Sequence, residues 1–392
     1  MHVSERFEIV VVGGGVVGAA TAEVLAGRGR RVALVERRSP AHDHGSSHGD
    51  GRIIRYSYPE AVYIAMAQRV YQAWSELETR VGETLVETTG GWECGPAGSQ
   101  QLADLEASFR AHGIDYERWD PEETARRRPQ LRLPPGSLAL YQADSGIVRA
   151  ERAVRALWRQ AEIEGAAIRS GARVTGIDGG DQGVTLSLEH GQVLEAESVV
   201  LTVGGWAQGL LAALDLDVPL DVTREAVSYF PVASGQTLDH GIGALPTVID
   251  YHEPERPFYC LPKIDVPGVK IGWHHSGPVV DPDDPVDREA SARITQHISD
   301  FVRERFPALD PTPLETVHCL YTNTSDYHFI LDRHPSLDRV VIGAGFSGHG
   351  FKFGPVVGEI LADLAEGEEP GFDLATFRLD RFGGHLDRRT SA

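Results

Sequence analysis

Lysine is scarce in this 392-residue chain. Of its 37 basic residues only Lys263, Lys270 and Lys352 are lysines, and the other 34 are arginines. A chain that otherwise uses arginine keeps lysine where a compact ammonium is needed, or retains one by chance. Lys352 stands in G-A-G-F-S-G-H-G-F-K-F-G at 343–354 and Lys270 in G-V-K-I-G-W-H-H, whereas Lys263 matches no motif. Arg52 and Arg55 lie three apart in the polar, glycine-rich stretch G-S-S-H-G-D-G-R-I-I-R-Y at 45–56. The formal net charge is −20, a field that repels nucleic-acid phosphates and anionic membranes. An anionic substrate would therefore need positive charge concentrated in a cleft.

The elements around these residues give the cleft a purpose. Residues 9–12 form a continuous apolar run, as expected of a strand buried on both faces. Gly13, Gly15 and Gly18 follow as G-x-G-x-x-G, then small and apolar residues at helical spacing, then an apolar strand at 32–35 ending at Glu36. Gly13 permits a tight turn, Gly15 lets backbone N–H groups approach a pyrophosphate, and Gly18 lets helix and strand pack closely. The helix N-terminus adds partial positive charge for the phosphates. Glu36, eighteen residues after Gly18, is placed to accept ribose hydroxyls and disfavours a 2′-phosphate. The motif alone leaves FAD and NAD both open.

Three further segments favour the larger cofactor, the first being 45–56 with its two arginines beside the dinucleotide-binding unit. Residues 197–206 read as a buried strand ending in a Thr-x-Gly-Gly turn, and upstream the alternation of Val184, Leu186 and Leu188 suggests a small sheet. At 339–365 a strand at 340–342, glycine-rich turns and a helix from Pro355 through Ala365 make a second strand–glycine–helix unit. Such a late return to the nucleotide-binding region suits a flavin, whose ring must be gripped far from its adenosine end.

The totals describe an ordinary globular protein, with 41% hydrophobic and 24% charged residues, of roughly two or three domains. Cys94, Cys260 and Cys319 are odd in number and form no C-x-x-C, so neither a disulfide framework nor a zinc site is expected, and a reducing cytoplasm suits them. The N-terminus shows no signal-peptide pattern, no run of about 18 apolar residues is present, and the terminal R-R-T-S-A is not an S-K-L-type address.

Taken together, G-x-G-x-x-G with Glu36, S-S-H-G-D-G-R-I-I-R, V-K-I-G-W-H-H, H-C-L-Y-T-N-T, G-F-S-G-H-G-F-K-F and F-D-L-A-T-F-R-L-D-R-F, in that order, resemble the monomeric sarcosine oxidase family of FAD-dependent amine oxidases over residues 7–382. The relatives include N-methyltryptophan oxidase and peroxisomal pipecolate/sarcosine oxidase. The resemblance implies an α/β fold: a Rossmann-like FAD-binding domain of the D-amino-acid-oxidase type with a second, mainly antiparallel-sheet substrate domain. The FAD domain is expected from 1–84, 145–217 and 320–392, and the substrate domain from 85–144 and 218–319; the alternation at 222–230 and Val269–Trp273 fits the latter.

Residue roles follow from the same resemblance. Cys319 matches the cysteine that tethers the flavin through its 8α-methyl group, while Cys94 and Cys260 match nothing and read as structural. Lys270 matches the lysine that promotes reaction with oxygen. Arg55 and Lys352 match the residues that hold the substrate carboxylate, with Tyr259 lining the pocket. His274 and His349 match histidines near the flavin, for which neutral hydrogen bonding is the alternative reading to catalysis. FAD contacts are implied for Gly13, Gly15, Val16, Val17, Gly18, Glu36 and Arg37; for Ser46, Ser47, His48, Arg52 and Ile54; for Arg173, Val174, Gly204, Trp206 and Cys319; and for Gly345, Phe346, Ser347, Gly348, His349, Gly350 and Lys352. No metal is implied. The chain departs from its bacterial relatives at Gly51, where threonine is usual, and at Tyr56, where histidine is common. Residues 248–258 align poorly and are expected at the substrate entrance.

The implied activity is oxidation of a secondary-amine amino acid, N-methylated or cyclic, with hydride passing to the flavin, electrons to O2, and imine and hydrogen peroxide as products. A monomer acting on a small amino acid is expected, with no nucleic acid or membrane partner. The rival readings are a flavin dehydrogenase using another acceptor, a biosynthetic oxidase of a larger carboxylate-bearing amine, an NAD-dependent dehydrogenase and a non-catalytic flavin-binding protein.

Overall fold

A computed structural model describes residues 5–180 and 183–386. Both chain ends, on which the readings of the N-terminus and of R-R-T-S-A depend, lie partly or wholly outside the described residues.

The apolar strand that precedes the glycine motif, Glu5–Val12, is the centre of an eight-stranded sheet. It pairs in parallel with Val32–Glu36 on one side and Val193–Leu201 on the other, and the latter pairs in parallel with Leu337–Ala344. Residues Val10 to Val12 and Val32 to Glu36 are buried on both faces, which is why they read as unbroken apolar runs. The helix Val16–Gly27 covers this sheet together with Gly354–Glu366, the helix from the far end of the chain. The two helices approach closely because Gly358 lacks a side chain: a Cβ there would lie 2.8 Å from the Ala20 backbone. The alternating strand Gly183–Leu188 buries Val184, Leu186 and Leu188 as its pattern predicts. It does not form a separate small sheet, however; it adds antiparallel to Val193–Leu201 and extends the main one.

The second eight-stranded sheet runs in the order Glu315–Asn323, Asp221–Phe230, Val269–Trp273, Phe258–Leu261, Thr247–Asp250, Gly91–Pro96, Ser137–Gln142 and Glu117–Trp119. Its pairings are antiparallel except that between Thr247–Asp250 and Gly91–Pro96. One face carries Ala226, Phe230, Phe258, Cys260 and Ile271 against Ile294, Ile298, Phe301 and Val302 of the helix Arg288–Arg305. The strand Glu315–Asn323 runs unbroken through the expected domain boundary at 319/320 and pairs along its whole length with Asp221–Phe230. A third, three-stranded sheet joins Arg52–Ile54 and Val86–Thr88 to Gly146–Val148.

Candidate active site

The glycine turn is shaped by what surrounds it. Gly13 has φ +99°, and a Cβ there would meet the Thr202 carbonyl oxygen at 2.5 Å, so no other residue makes this turn without strain. At Gly18 a Cβ would lie 1.8 Å from the Gly13 carbonyl oxygen. The Thr202 hydroxyl donates to the carbonyls of Val12 and Gly13, at 3.0 and 2.9 Å, and Trp158 Nε1 donates to the Gly14 carbonyl at 2.8 Å. Ser47 reaches in from the 45–56 loop to accept from the Val16 N–H at 3.1 Å.

Glu36 closes this end. One of its oxygens accepts from Gly14 N–H at 2.7 Å and the other from Arg38 N–H at 2.9 Å. Burial pushes its carboxyl up, but His42 and these backbone donors outweigh burial and hold it below the ordinary value. Arg37 stacks on Trp206, 3.8 Å from the ring centroid, and pairs with Asp283 at 2.8 Å.

The middle of the site comes from strand alternation. On the face of the second sheet away from the helix Arg288–Arg305 stand Val227, Tyr229, Tyr259, Leu261, Lys270, Val317, Cys319 and Tyr321, each in register with a neighbour of the same set or with a glycine or acid except Tyr321, which is opposite Thr223. Gly272 makes room here, since a Cβ would lie 2.4 Å from the Tyr259 ring. Lys270 is 4% exposed. Its ammonium donates to the Gly51 carbonyl at 3.0 Å and lies 3.4 Å from Asp50, which also accepts from Tyr229 at 2.9 Å. Burial, with Arg52 adding to it and Asp50 opposing, brings Lys270 down to about 8. Burial, Arg52 and Lys270 likewise bring His48 down to about 4. The Cys319 thiol is raised by burial and by Glu225, while Arg52 and Lys270 pull it the other way. Arg52 donates to the Gly51 and Ser46 carbonyls, both at 2.9 Å.

At the far end Arg55 and Lys352 converge on one tyrosine. Lys352 Nζ donates to the Tyr58 hydroxyl at 2.8 Å and to the His349 carbonyl at 2.7 Å. The Arg55 guanidinium lies 5.3 Å from the Tyr58 ring centroid. Burial, with Arg55 adding to it, drives Lys352 well below the usual lysine value. Burial works against the Arg55 charge, and Glu93, 2.7 Å away, with Tyr251 more than restores it. His274 contacts the Tyr321 hydroxyl at 3.2 Å through Nδ1, and His349 the Tyr58 hydroxyl at 3.4 Å. Burial and the surrounding cations hold both imidazoles far below their ordinary value, so both are neutral.

One cavity of about 800 Å³ joins these regions, lined from Gly13, Gly15, Val16, Val17, Glu36 and Arg37 through Ser46, Ser47, His48 and Arg52 to Arg55, Tyr259, His274 and Lys352. Arg173, Val174, Gly204, Trp206, Cys319, Phe346, Ser347, Gly348, His349 and Gly350 share it. Three expected contacts stand outside the lining. Ile54 points into the core and its neighbour Ile53 lines the cavity instead; Gly18 packs against Gly13; and Gly345 lies against Thr324 and Ile330. Ile249, Tyr251, Pro254, Glu255, Pro257 and Phe258 of the poorly aligned stretch do line it. Gly51 is covered by Ile264 and Leu261, and Tyr56 stacks on Tyr71, 4.5 Å between centroids. Lys263 is exposed.

Sequence reasoning missed Tyr58, Tyr251, Asp50, Tyr321 and Glu93. For Glu93 a signal existed: an acid inside the otherwise neutral, buried run G-W-E-C-G.

The model of the family described as "FAD dependent oxidoreductase" matches residues 8–364. The chain belongs to this family. As an FAD-dependent oxidoreductase it is 37% identical over 386 residues to peroxisomal sarcosine oxidase of Homo sapiens, covering 96% of this chain and 97% of the relative. It is 32% identical to monomeric sarcosine oxidase of Bacillus sp. (strain B-0618), with coverage of 96% and 97%. It is 31% identical to N-methyl-L-tryptophan oxidase of Citrobacter koseri, with coverage of 96% and 99%. Its fold matches that of NikD, an unusual amino acid oxidase essential for nikkomycin biosynthesis, with TM-score 0.84 and 26% identity over 96% of this chain and 98% of that one.

The cavity fits the cofactor of this family of oxidoreductases. It is long, it begins at a glycine cradle that a Cβ would fill, and His48 Nε2 in its wall is buried without a hydrogen-bond partner among the described residues. Among the described residues no helix is long and apolar enough to cross a membrane.

Proposed function

We propose that this oxidoreductase oxidises an amino acid carrying a secondary amine, N-methylated or cyclic, with oxygen as electron acceptor. The observation that carries the reading is the meeting of Arg55 and Lys352 at Tyr58, within the same cavity as Lys270 and Cys319. The bound FAD would accept hydride from the carbon next to nitrogen and pass the electrons to O2, giving imine and hydrogen peroxide. The division into an FAD domain and a substrate domain, at the boundaries expected above, belongs to the same proposal.

In this reading the chain's own side chains bind, orient and tune charge. Arg55 and Lys352, with the planar fork of one and the compact ammonium of the other, hold the substrate carboxylate. That fixes the distance from carboxylate to reacting carbon and supplies the positioning part of catalysis. The substrate amine must be uncharged for its lone pair to assist. Desolvation in the pocket lowers the affinity of that nitrogen for a proton, and His274 and His349, both neutral, add no charge beside it. Tyr58, Tyr251, Tyr259 and Tyr321 wall the pocket with rings and exclude water. Lys270, buried and close to Arg52, presents a fixed positive charge where negative charge develops on oxygen. Glu36, Ser47 and the Gly13–Gly18 turn hold the nucleotide, and Cys319 tethers the flavin.

Tyr251, Phe258, His275 and Tyr327 also line the cavity, and such an aromatic wall suits a larger, aromatic side chain. The deciding experiment is anaerobic mixing of the holoenzyme with sarcosine, N-methyltryptophan, pipecolate and proline, reading loss of the 450 nm flavin band as order-of-magnitude rate differences. At least one should bleach the flavin, and readmitted air should yield about one peroxide per turnover. Bleaching without peroxide would favour a dehydrogenase, and no bleaching by any carboxylate-bearing amine would defeat the proposal.

A further inference from the structure

Glu93 has no part in the reading above, yet it sits against the proposed carboxylate clamp. It is 3% exposed and lies in Gly91–Pro96, a strand buried through Gly95. It stands in register with Ile249, which stands in register with Tyr259. Both of those residues line the cavity, so strand alternation puts the Glu93 side chain on the cavity side of the sheet. Oε1 accepts from Arg55 Nη1 at 2.7 Å. Oε2 has no hydrogen-bond partner among the described residues. A half-satisfied carboxylate in a buried strand is costly, and an apolar side chain would fill the position without that cost. Packing therefore does not account for it.

Charge does. Tyr58, Tyr251, His274 and His349 face the cluster as neutral groups, Arg55 and Glu93 form an ion pair at 2.7 Å, and Lys352, lowered by burial, is held as an ammonium by the carboxylate it would bind. We propose that Glu93 is a specificity-determining residue that acts through Arg55, holding the net charge of the anion site at that of one cation so that it accepts one carboxylate and discriminates against two. A monocarboxylate brings the cluster to neutrality. A dicarboxylate would leave an uncompensated negative charge in a site of low dielectric, beside a carboxylate that already occupies one edge of the Arg55 fork. The inference rests on the reading of Arg55 and Lys352 as the carboxylate clamp.

The test uses the oxidised holoenzyme and two probes of nearly equal size, malonate and its half-amide malonamate. Dissociation constants are read from perturbation of the flavin absorption at fixed pH and ionic strength. In the unsubstituted protein malonamate should bind about tenfold or more tightly than malonate. Glu93→Gln keeps the shape and removes the charge, and should abolish or invert that preference. Glu93→Asp keeps the charge and should retain it. Equal binding of the two probes by the unsubstituted protein overturns the proposal without any variant, as does an unchanged preference in Glu93→Gln. If neither probe perturbs the flavin, or Arg55→Met binds malonamate as well as the parent does, the clamp itself is wrong and the role of Glu93 falls with it.

Discussion

Lys270 and Lys352 are both buried ammonium groups, but their neighbours differ. Lys270 has a carboxylate, Asp50, at 3.4 Å and comes down to about 8, whereas Lys352 donates to a hydroxyl and a carbonyl and is lowered by burial and Arg55. Lys270 therefore loses its proton as pH rises through about 8. If its charge promotes the oxygen step, the rate constant for reoxidation of the reduced flavin should fall across that pH range in rapid-mixing experiments. Lys270→Met should lower this rate constant by about a hundredfold at neutral pH and flatten its pH profile, with anaerobic reduction slowed less than about tenfold. Equal slowing of both half-reactions would remove Lys270 from the oxygen step. At the other end, Arg55→Met should raise KM by about a hundredfold while lowering kcat much less, because it removes a charge from substrate binding and leaves Glu93 unpaired.

What the sequence disclosed at this scale depended on rarity and motif. Lys270 and Lys352 stood out because lysine is scarce, and Glu36 because of its distance from a glycine turn. Tyr58, Tyr251 and Glu93 did not stand out, since their meeting depends on how the loop after Arg52–Ile54, the turn after Thr247–Asp250 and the strand Gly91–Pro96 come together from distant parts of the chain. Ile53 and Ile54 illustrate the same limit: adjacent strand residues face opposite ways, and only the pairing with Gly146–Val148 decides which one reaches the cavity.

At the scale of elements, glycine sets how closely pieces approach. Gly358→Val places two methyl groups and a Cβ where Ala20 and Thr21 already stand. It should destabilise the protein by about 1–3 kcal/mol, seen as a lowered melting temperature with reduced flavin content. An unchanged melting temperature would show that the two helices slide apart freely. Both parallel strands flanking the glycine turn and the late helix were readable from apolar runs and punctuation. The strand at Gly183–Leu188 was readable as a strand but not as part of the main sheet, because alternation reports one buried face and says nothing of the edge it joins.

Over the whole molecule, the cavity takes walls from both large sheets, so a bound cofactor braces the two against each other. Flavin-loaded protein should melt above the flavin-free form by several degrees, the margin growing with free FAD if the tether is absent. Cys319→Ser tests the tether: its acid precipitate should be colourless, whereas that of the parent should stay yellow.

Residues 346–352 line the cavity that the first fifty residues begin, and the Leu337–Ala344 strand and Gly354–Glu366 helix on either side of them complete the sheet and its helix layer. A ribosome must therefore deliver nearly the entire polypeptide before that site can close. Until then the strand Val193–Leu201 lacks its parallel neighbour, and the helix Val16–Gly27 lacks the late helix that packs on it. Flavin uptake is thereby made a late event in biogenesis, and a nascent chain arrested before this last stretch should emerge colourless and dependent on chaperones, although its dinucleotide motif was made first.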